Sequence, residues 1–221
     1  MTIIQYILAV LPGLVICLYV IRSDKFEKEP MSALLIAFIL GTLMIAPVIL
    51  LSNILEHTST KLLPTLYNCF ISIALVEEGI KLLIILLLFY NRAFFNEPFD
   101  GIIYTVMLGM GFATAENLLF AGRHPSLFYI QRAFTTEVAH GAFSIILGYF
   151  IGQAKFSLTK KSQIRYLVGG LLTSVLLHGT YDLFLTLSSF SYVMIFALFV
   201  LLFSITLAYR FILIQVEKPP V

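Results

Sequence analysis

Seven long apolar runs alternate with short polar stretches along this chain. They cover roughly residues 2–21, 31–52, 67–90, 101–121, 132–153, 166–187 and 191–214. A helix needs about 20 apolar residues to cross a hydrocarbon core of about 30 Å. The pattern therefore predicts an all-α, polytopic membrane bundle of about seven transmembrane helices, in which residues 1–221 form a single integral membrane domain.

The composition agrees with a protein that is embedded in a lipid bilayer. The chain is 60% hydrophobic and 12% charged, and its mean hydropathy is +0.99. A soluble domain carries about twice that share of charged residues. The net charge of +2 is small, so we expect no nucleic-acid partner.

The lysines and arginines between the runs predict how the bundle is oriented. Alternate loops of the seven-helix arrangement hold ten of these residues on one side and three on the other. Cytoplasmic loops carry the excess of Lys and Arg in membrane proteins. We therefore expect the N-terminus outside the cell and the C-terminus in the cytoplasm.

Several ionisable or strongly polar residues interrupt the apolar runs. They are Glu77, Glu78, Lys81, Glu116, Asn117, Glu137, His140, His178 and Asp182. Such groups are costly at bilayer depth unless they have partners or face a wet cavity. At 1.5 Å per residue, the acidic and histidine residues all fall between the middle of the membrane and its outer face. We expect them to share one hydrated cavity open to the extracytoplasmic side.

Spacing within single helices predicts which of these side chains pair. Lys81 follows Glu77 by four residues and Glu78 by three, so it lies on their face of the helix and neutralises one carboxylate. His178 and Asp182 are also four apart, which lets the carboxylate fix the imidazole tautomer.

Two further residues have both a functional and a structural interpretation. Glu137 and His140 are three residues apart and are expected to pair in the same way. Glu137 lies near the predicted end of its helix, where an ordinary interfacial charge is equally reasonable. His140 alone is typical of a hydrogen-bonded core histidine.

Paired carboxylates beside a lysine suit general acid–base catalysis. One carboxylate stays ionised against the lysine, while the other takes a proton from water and returns it to a leaving amine. The candidate catalytic residues are Glu77, Glu78, His140 and His178. The candidate supporting residues are Lys81, Glu116, Asn117, Glu137 and Asp182.

The same residues leave the question of a metal open. Two histidines and a glutamate match a known zinc ligand count, and here the ligands would be His140, His178 and a glutamate. The chain has no His-Glu-x-x-His motif. We expect no cofactor, with zinc as the alternative.

The polar residues also form a pattern that resembles a known protein family. The pattern is Glu77-Glu78-x-x-Lys81, Phe112-x-x-x-Glu116-Asn117, His140, and His178-x-x-x-Asp182. Its order resembles the PrsW family of bacterial intramembrane proteases. That family is related to the type II CAAX prenyl endopeptidases and the CPBP group of membrane proteins, in which a paired-glutamate helix and two histidine helices form the active site.

The resemblance implies an activity and a partner. The chain would be the site-1 protease of a single-span anti-sigma factor, in the cell membrane of a bacterium, and would cut its substrate on the extracytoplasmic side. Glu77 or Glu78 would activate water, with His140 and His178 completing the site. Asp182 stands where the CAAX relatives have an asparagine, so its implied role is to orient His178.

Other functions remain open from the residues alone. A protease of CAAX type or one that processes peptides would use the same bundle. A proton-coupled transporter also needs buried Glu, His and Lys, although transporters usually have inverted repeats and broken helices. A non-catalytic immunity protein would tolerate the loss of Glu77 or Glu78.

Overall fold

The computed structural model describes residues 3–59, 61–121, 127–187 and 191–218. These residues form helices and turns and contain no strand. The α-helices are α1 (Ile3–Ser23), α2 (Met31–Leu43), α3 (Ile45–Leu55), α4 (Leu62–Tyr67), α5 (Val76–Ile84), α6 (Pro98–Ala121), α7 (Leu127–Lys155), α8 (Lys160–Thr186) and α9 (Ser191–Gln215). The predicted all-α bundle is confirmed.

Five helical segments of the described chain are long and apolar enough to cross a membrane. They comprise α2 with α3, and α6, α7, α8 and α9. The described apolar part of α1, Ala9–Ser23, is shorter, and residues 62–89 are divided among several helical segments. The membrane-embedded bundle is thus supported, and the predicted number of seven spans is approximate.

Helix α6 is the centre of the bundle. In its apolar window 83% of the residues are buried inside the protein, against 22% in α9. Its neighbours approach so closely that glycine is required. A Cβ on Gly101 would overlap the carbonyl oxygen of Gly148 in α7, and a Cβ on Gly111 would overlap that of Phe38 in α2. Small residues allow such backbone contacts between membrane helices.

We expect Gly111→Ala to destabilise the protein by about 1–3 kcal/mol, because the new methyl group meets a backbone carbonyl that cannot move aside. Gly79→Ala is the matched control, since a Cβ there meets nothing within 4 Å. That change should stabilise α5 by up to about 1 kcal/mol. Unfolding of both variants in detergent measures the difference, and equal effects of the two changes would contradict the packing argument.

The second apolar run, predicted as a continuous helix, is interrupted at Met44, although Met44 still donates a helical hydrogen bond to the carbonyl of Leu40. Helix α2 ends at Leu43, and α3 begins at Ile45. Pro47 explains the break, because proline has no N–H to bond to the carbonyl four residues earlier and its ring collides with that carbonyl. Val48 is the only buried residue of α3, so this part of the helix buries little of its surface against the bundle.

Two π-helical segments flank α5, which carries the paired glutamates. They comprise Asn68–Leu75 before it and Ile85–Phe89 after it. The π-helix is rare and is found frequently at functional sites. Its wider turns rotate α5 relative to an unbroken helix, so an ideal 3.6-residue period does not predict which neighbours its side chains meet.

A second polar cluster closes the end of the bundle where α6 begins. The side chain of Asp100 accepts hydrogen bonds from the backbone N–H groups of Asn96 and Glu97, at 2.7 and 2.8 Å. Tyr104 donates a hydrogen bond to Glu29. Burial, together with the charge of Asp100, raises the pKa of Glu97 to about 8. This shift favours the protonated form of the Glu97 carboxyl at neutral pH.

Candidate active site

A cavity of about 310 Å³ lies among α5, α6, α7 and α8, at the end of the bundle where α6 terminates. Five residues singled out from the sequence line it: Glu77, Glu116, His140, His178 and Asp182. They come from four different helices. The expected convergence of these groups is therefore present in the structure, while their catalytic roles remain predictions.

Glu78 lies behind this cavity rather than in it. Its side chain and that of Lys81 are fully buried, and the lysine Nζ donates to both carboxylate oxygens at 2.9 and 3.0 Å. We predicted that Lys81 neutralises one of the two glutamates, and in the structure that glutamate is Glu78. A buried charge needs such a partner and further hydrogen bonds. Glu77 is the member of the pair that faces the cavity.

His178 is surrounded by carboxylates on both of its ring nitrogens. Its Nδ1 lies 3.1 Å from Glu78 Oε1, while its Nε2 lies 3.3 Å from Asp182 Oδ2 and 3.8 Å from Glu77 Oε2. A neutral imidazole has one N–H and one lone pair. If the imidazole proton is on Nδ1, it faces Glu78. The lone pair of Nε2 then faces the carboxylates of Asp182 and Glu77, and a cation between these three groups would stabilise the arrangement.

The His140 ring is held in place by a side chain of α6. Its Nε2 lies 3.2 Å from Glu116 Oε2, and its buried Nδ1 has no hydrogen-bond partner in the described residues. The two imidazole rings meet edge to face, with centroids 5.2 Å apart. Phe112 and Phe143 pack against His140 and His178 respectively, so each ring is held by an aromatic neighbour as well as by a carboxylate.

These side chains fit a divalent metal ion. One ligand atom each from Glu77, His140 and His178 lies within 4.8 Å of the others, and no other such group of His, Cys, Asp and Glu occurs in the described residues. Glu77 Oε2 is buried without a hydrogen-bond partner, as is the imidazole nitrogen noted above. Two imidazoles and a carboxylate are ligands that zinc accepts. Glu78 and Glu116 hold the histidines as carboxylates do around zinc sites.

Glu137 belongs to a neighbouring cluster and not to the cavity lining. Its Oε1 lies 3.2 Å from the amide nitrogen of Asn117 and 3.4 Å from the hydroxyl of Thr114. The expected pairing of Glu137 with His140 is wrong, because Glu116 binds the imidazole instead. Glu137 is also fully buried, which excludes an exposed interfacial charge. It joins α7 to α6 beside the cavity.

Several lining residues were not identified from the sequence. Phe143 stacks on His178, with centroids 5.0 Å apart, and it follows His140 by three residues, which was a usable signal. Ile73, in the first π-helical segment, also lines the cavity. Nothing in an apolar run distinguishes such a residue from its neighbours that face lipid.

Comparisons with known proteins agree with this geometry. The family described as "PrsW family intramembrane metalloprotease" matches residues 29–208. "Protease PrsW" of Geobacillus kaustophilus is 34% identical over 173 residues, which cover 78% of this chain and 76% of that protein. "Protease PrsW" of Bacillus subtilis is 32% identical over 185 residues, covering 83% and 84%. "Protease PrsW" of Clostridioides difficile is 34% identical over 186 residues, covering 81% and 78%. No solved structure matches the chain.

The match extends over most of the sequence and includes every helix that contributes to the cavity. The order of acidic and histidine residues that resembled the family therefore lies inside the matched region. A membrane-embedded peptidase is the activity consistent with both the family and the cavity. This chain belongs to the PrsW family of intramembrane metalloproteases.

Proposed function

We propose that this protein performs site-1 cleavage of a single-span anti-sigma factor, on the extracytoplasmic side of a bacterial cell membrane. The observation that carries the proposal is the group of ligand atoms from Glu77, His140 and His178, which converge in a cavity within the bundle. The substrate class comes from the family resemblance, and a cavity near one membrane face suits a cut just outside the lipid core.

The site is proposed to hold zinc through Glu77, His140 and His178. Of the two alternatives left open by the sequence, the metal is favoured by the family description and by the unpartnered ligand atoms. When bound, zinc would polarise the scissile carbonyl and activate a water molecule. Glu78, held by Lys81, keeps the His178 ring oriented.

Glu116 is proposed as the general base of this reaction. Its side chain is 27% exposed, while that of Glu78 is fully buried, so Glu116 is the one of the two that reaches water. It would accept the proton of the attacking water and deliver it to the leaving amine. The hydrogen bond to His140 fixes its position. Glu77 would then act as a ligand rather than as the base.

We expect Glu116→Gln to lower cleavage by about 10²-fold while zinc stays bound, because a general base contributes on that order and the three ligands remain. Purified protein in liposomes with a candidate anti-sigma factor provides the measurement, with zinc content determined by elemental analysis. Glu56→Gln is the control, since Glu56 is exposed in the segment after α3. Full activity of Glu116→Gln would overturn the assignment of the base.

The proposed orientation can be tested without a substrate. A reporter fused after Lys161 should give a cytoplasmic signal, because this loop belongs to the set that holds most of the basic residues. A second fusion within the segment after Glu56 should give an extracytoplasmic signal. Reversed signals would place the cavity on the cytoplasmic side and contradict a cut outside the membrane.

A further inference from the structure

A second cavity adjoins the candidate active site. Its volume is about 280 Å³, and it shares Ile73, Glu77 and Glu116 with the first cavity. Because the same three side chains border both spaces, the two cavities form consecutive parts of one groove. A substrate that reaches Glu77 therefore has room on both sides of this residue.

The two halves of the groove differ in their chemistry. The half toward α7 and α8 contains both histidines and Asp182. Among the described residues, the half toward α3 has no titratable side chain besides the shared Glu77 and Glu116, and its remaining lining is apolar apart from Ser52 and Asn53 of α3. This second half can bind a chain, but it offers no further catalytic group.

A protease needs substrate residues on both sides of the bond that it cuts. An extended chain advances about 3.3 Å per residue, whereas an intact helix with its side chains is about 10 Å wide. Each cavity has a volume near the lower end of the range for small-ligand pockets. The groove therefore accepts a few extended residues in each half and not a folded helix.

Helix α3 separates this cavity from the lipid, so a substrate chain that enters from the membrane passes beside it. It follows the break at Met44, and Val48 is its only buried residue. Its large side chains Ile49, Leu50 and Ile54 are between 44% and 70% exposed. A half-helix with so little buried surface is displaced at low cost.

We propose that the α3 cavity is the second half of the substrate-binding groove. It takes an extended, mainly apolar stretch of a membrane-spanning substrate on one side of the scissile bond, after lateral entry past α3. Ser52 and Asn53 bind the backbone polar groups of that stretch, which are unsatisfied in lipid once the helix has unwound. The inference rests on the proposed function in taking a single-span protein as the substrate.

The first test needs no substrate. Single cysteines are placed at Ser52 and at Leu50 in a protein that carries Cys17→Ala and Cys69→Ala, and each is treated in nanodiscs with a small charged thiosulfonate. Ser52→Cys should react about tenfold faster than Leu50→Cys, because only the thiolate reacts and lipid suppresses its formation. Leu50 is the matched control on the lipid side of α3. Equal modification rates for the two cysteines would contradict the proposed groove.

The second test locates the substrate. In the Glu77→Gln background, Ser52→Cys and Thr186→Cys are cross-linked to an anti-sigma factor with single cysteines along its span. Thr186 lines the first cavity, so the two sets of cross-links should lie on opposite sides of the scissile bond. Cross-links on the same side, or none from Ser52→Cys, contradict the proposal.

The two tests separate the two hypotheses. If wild-type protein fails to cut the anti-sigma factor, the proposed function fails, while the thiol reactivity of Ser52→Cys still decides whether the groove exists. If cleavage occurs but Ser52→Cys behaves like Leu50→Cys, the substrate assignment stands and the groove is wrong.

Discussion

Replacing Glu77 with glutamine is expected to abolish proteolysis and to release the zinc ion that we propose this residue helps to hold. The loss of activity should be about 10³-fold, because Glu77 is the residue proposed to hold the group that activates water. Zinc content should fall in parallel, since the site would lose one of its three proposed ligands. Cleavage assays and elemental analysis on the same preparations provide both readouts.

The expected result distinguishes two mechanisms. If Glu77→Gln loses activity and keeps its zinc, Glu77 is the base, as one of the alternatives drawn from the sequence has it. If no preparation of the wild type contains metal and activity survives chelation, the glutamate acts without a metal. Glu56→Gln, in an exposed position, should match the wild type in both measurements. Activity in Glu77→Gln near that of the wild type would remove Glu77 from the site altogether.

Lys81→Met is expected to destabilise the protein by about 3–5 kcal/mol, the usual cost of removing one partner of a buried ion pair. Within the described part of the chain, Glu78 would then be a buried carboxylate with His178 as its remaining polar contact. Thermal unfolding in detergent measures the change. Lys61→Met is the control, because Lys61 is exposed and surface substitutions usually stay within about 0.5 kcal/mol.

A second change should restore much of the lost stability. Glu78→Gln combined with Lys81→Met removes the orphaned charge, and a buried ion pair replaced on both sides is often close to neutral. The double variant should therefore unfold at a higher temperature than Lys81→Met alone. If the destabilising effects of the two substitutions add instead, the broken ion pair does not explain the lower stability of Lys81→Met.

The membrane class, the all-α bundle and the convergence of several polar side chains follow largely from the sequence. Ionisable groups inside apolar runs are too costly to be placed at random, so Glu77, His140 and His178 could be selected before any coordinates. The family resemblance adds the reaction class. What these arguments lack is the rotation of each helix about its axis.

That rotation decides which side chains meet across helices. It assigns Glu116 rather than Glu137 to His140, and it turns Glu77 rather than Glu78 toward the cavity. In soluble helices an apolar stripe reveals the rotation, but in a membrane the surface toward lipid and the surface toward the core are equally apolar. The wide π-helical turns on both sides of α5 rotate this helix further about its axis, by an amount that no regular helical period predicts.

The break before α3 was within reach of the sequence. Pro47 lies inside the second apolar run, and a proline in a helix interior removes one backbone hydrogen bond. Its consequence for function could not be foreseen, because the cavity beside α3 depends on side chains from α6 and the first π-helical segment. Tertiary contacts of this kind leave no local signal.

The glycine contacts of α6 fix its position along the neighbouring helices. Backbone meets backbone at Gly101 with Gly148 and at Gly111 with Phe38, so α6 cannot slide along α7 or α2 without a clash. Glu116 on α6 and His140 on α7 are thereby held at a fixed position relative to each other along the bundle. The position of the proposed cut along the bundle axis is then a property of the enzyme, while the sequence at which a substrate is cut depends on how its own span sits in the lipid.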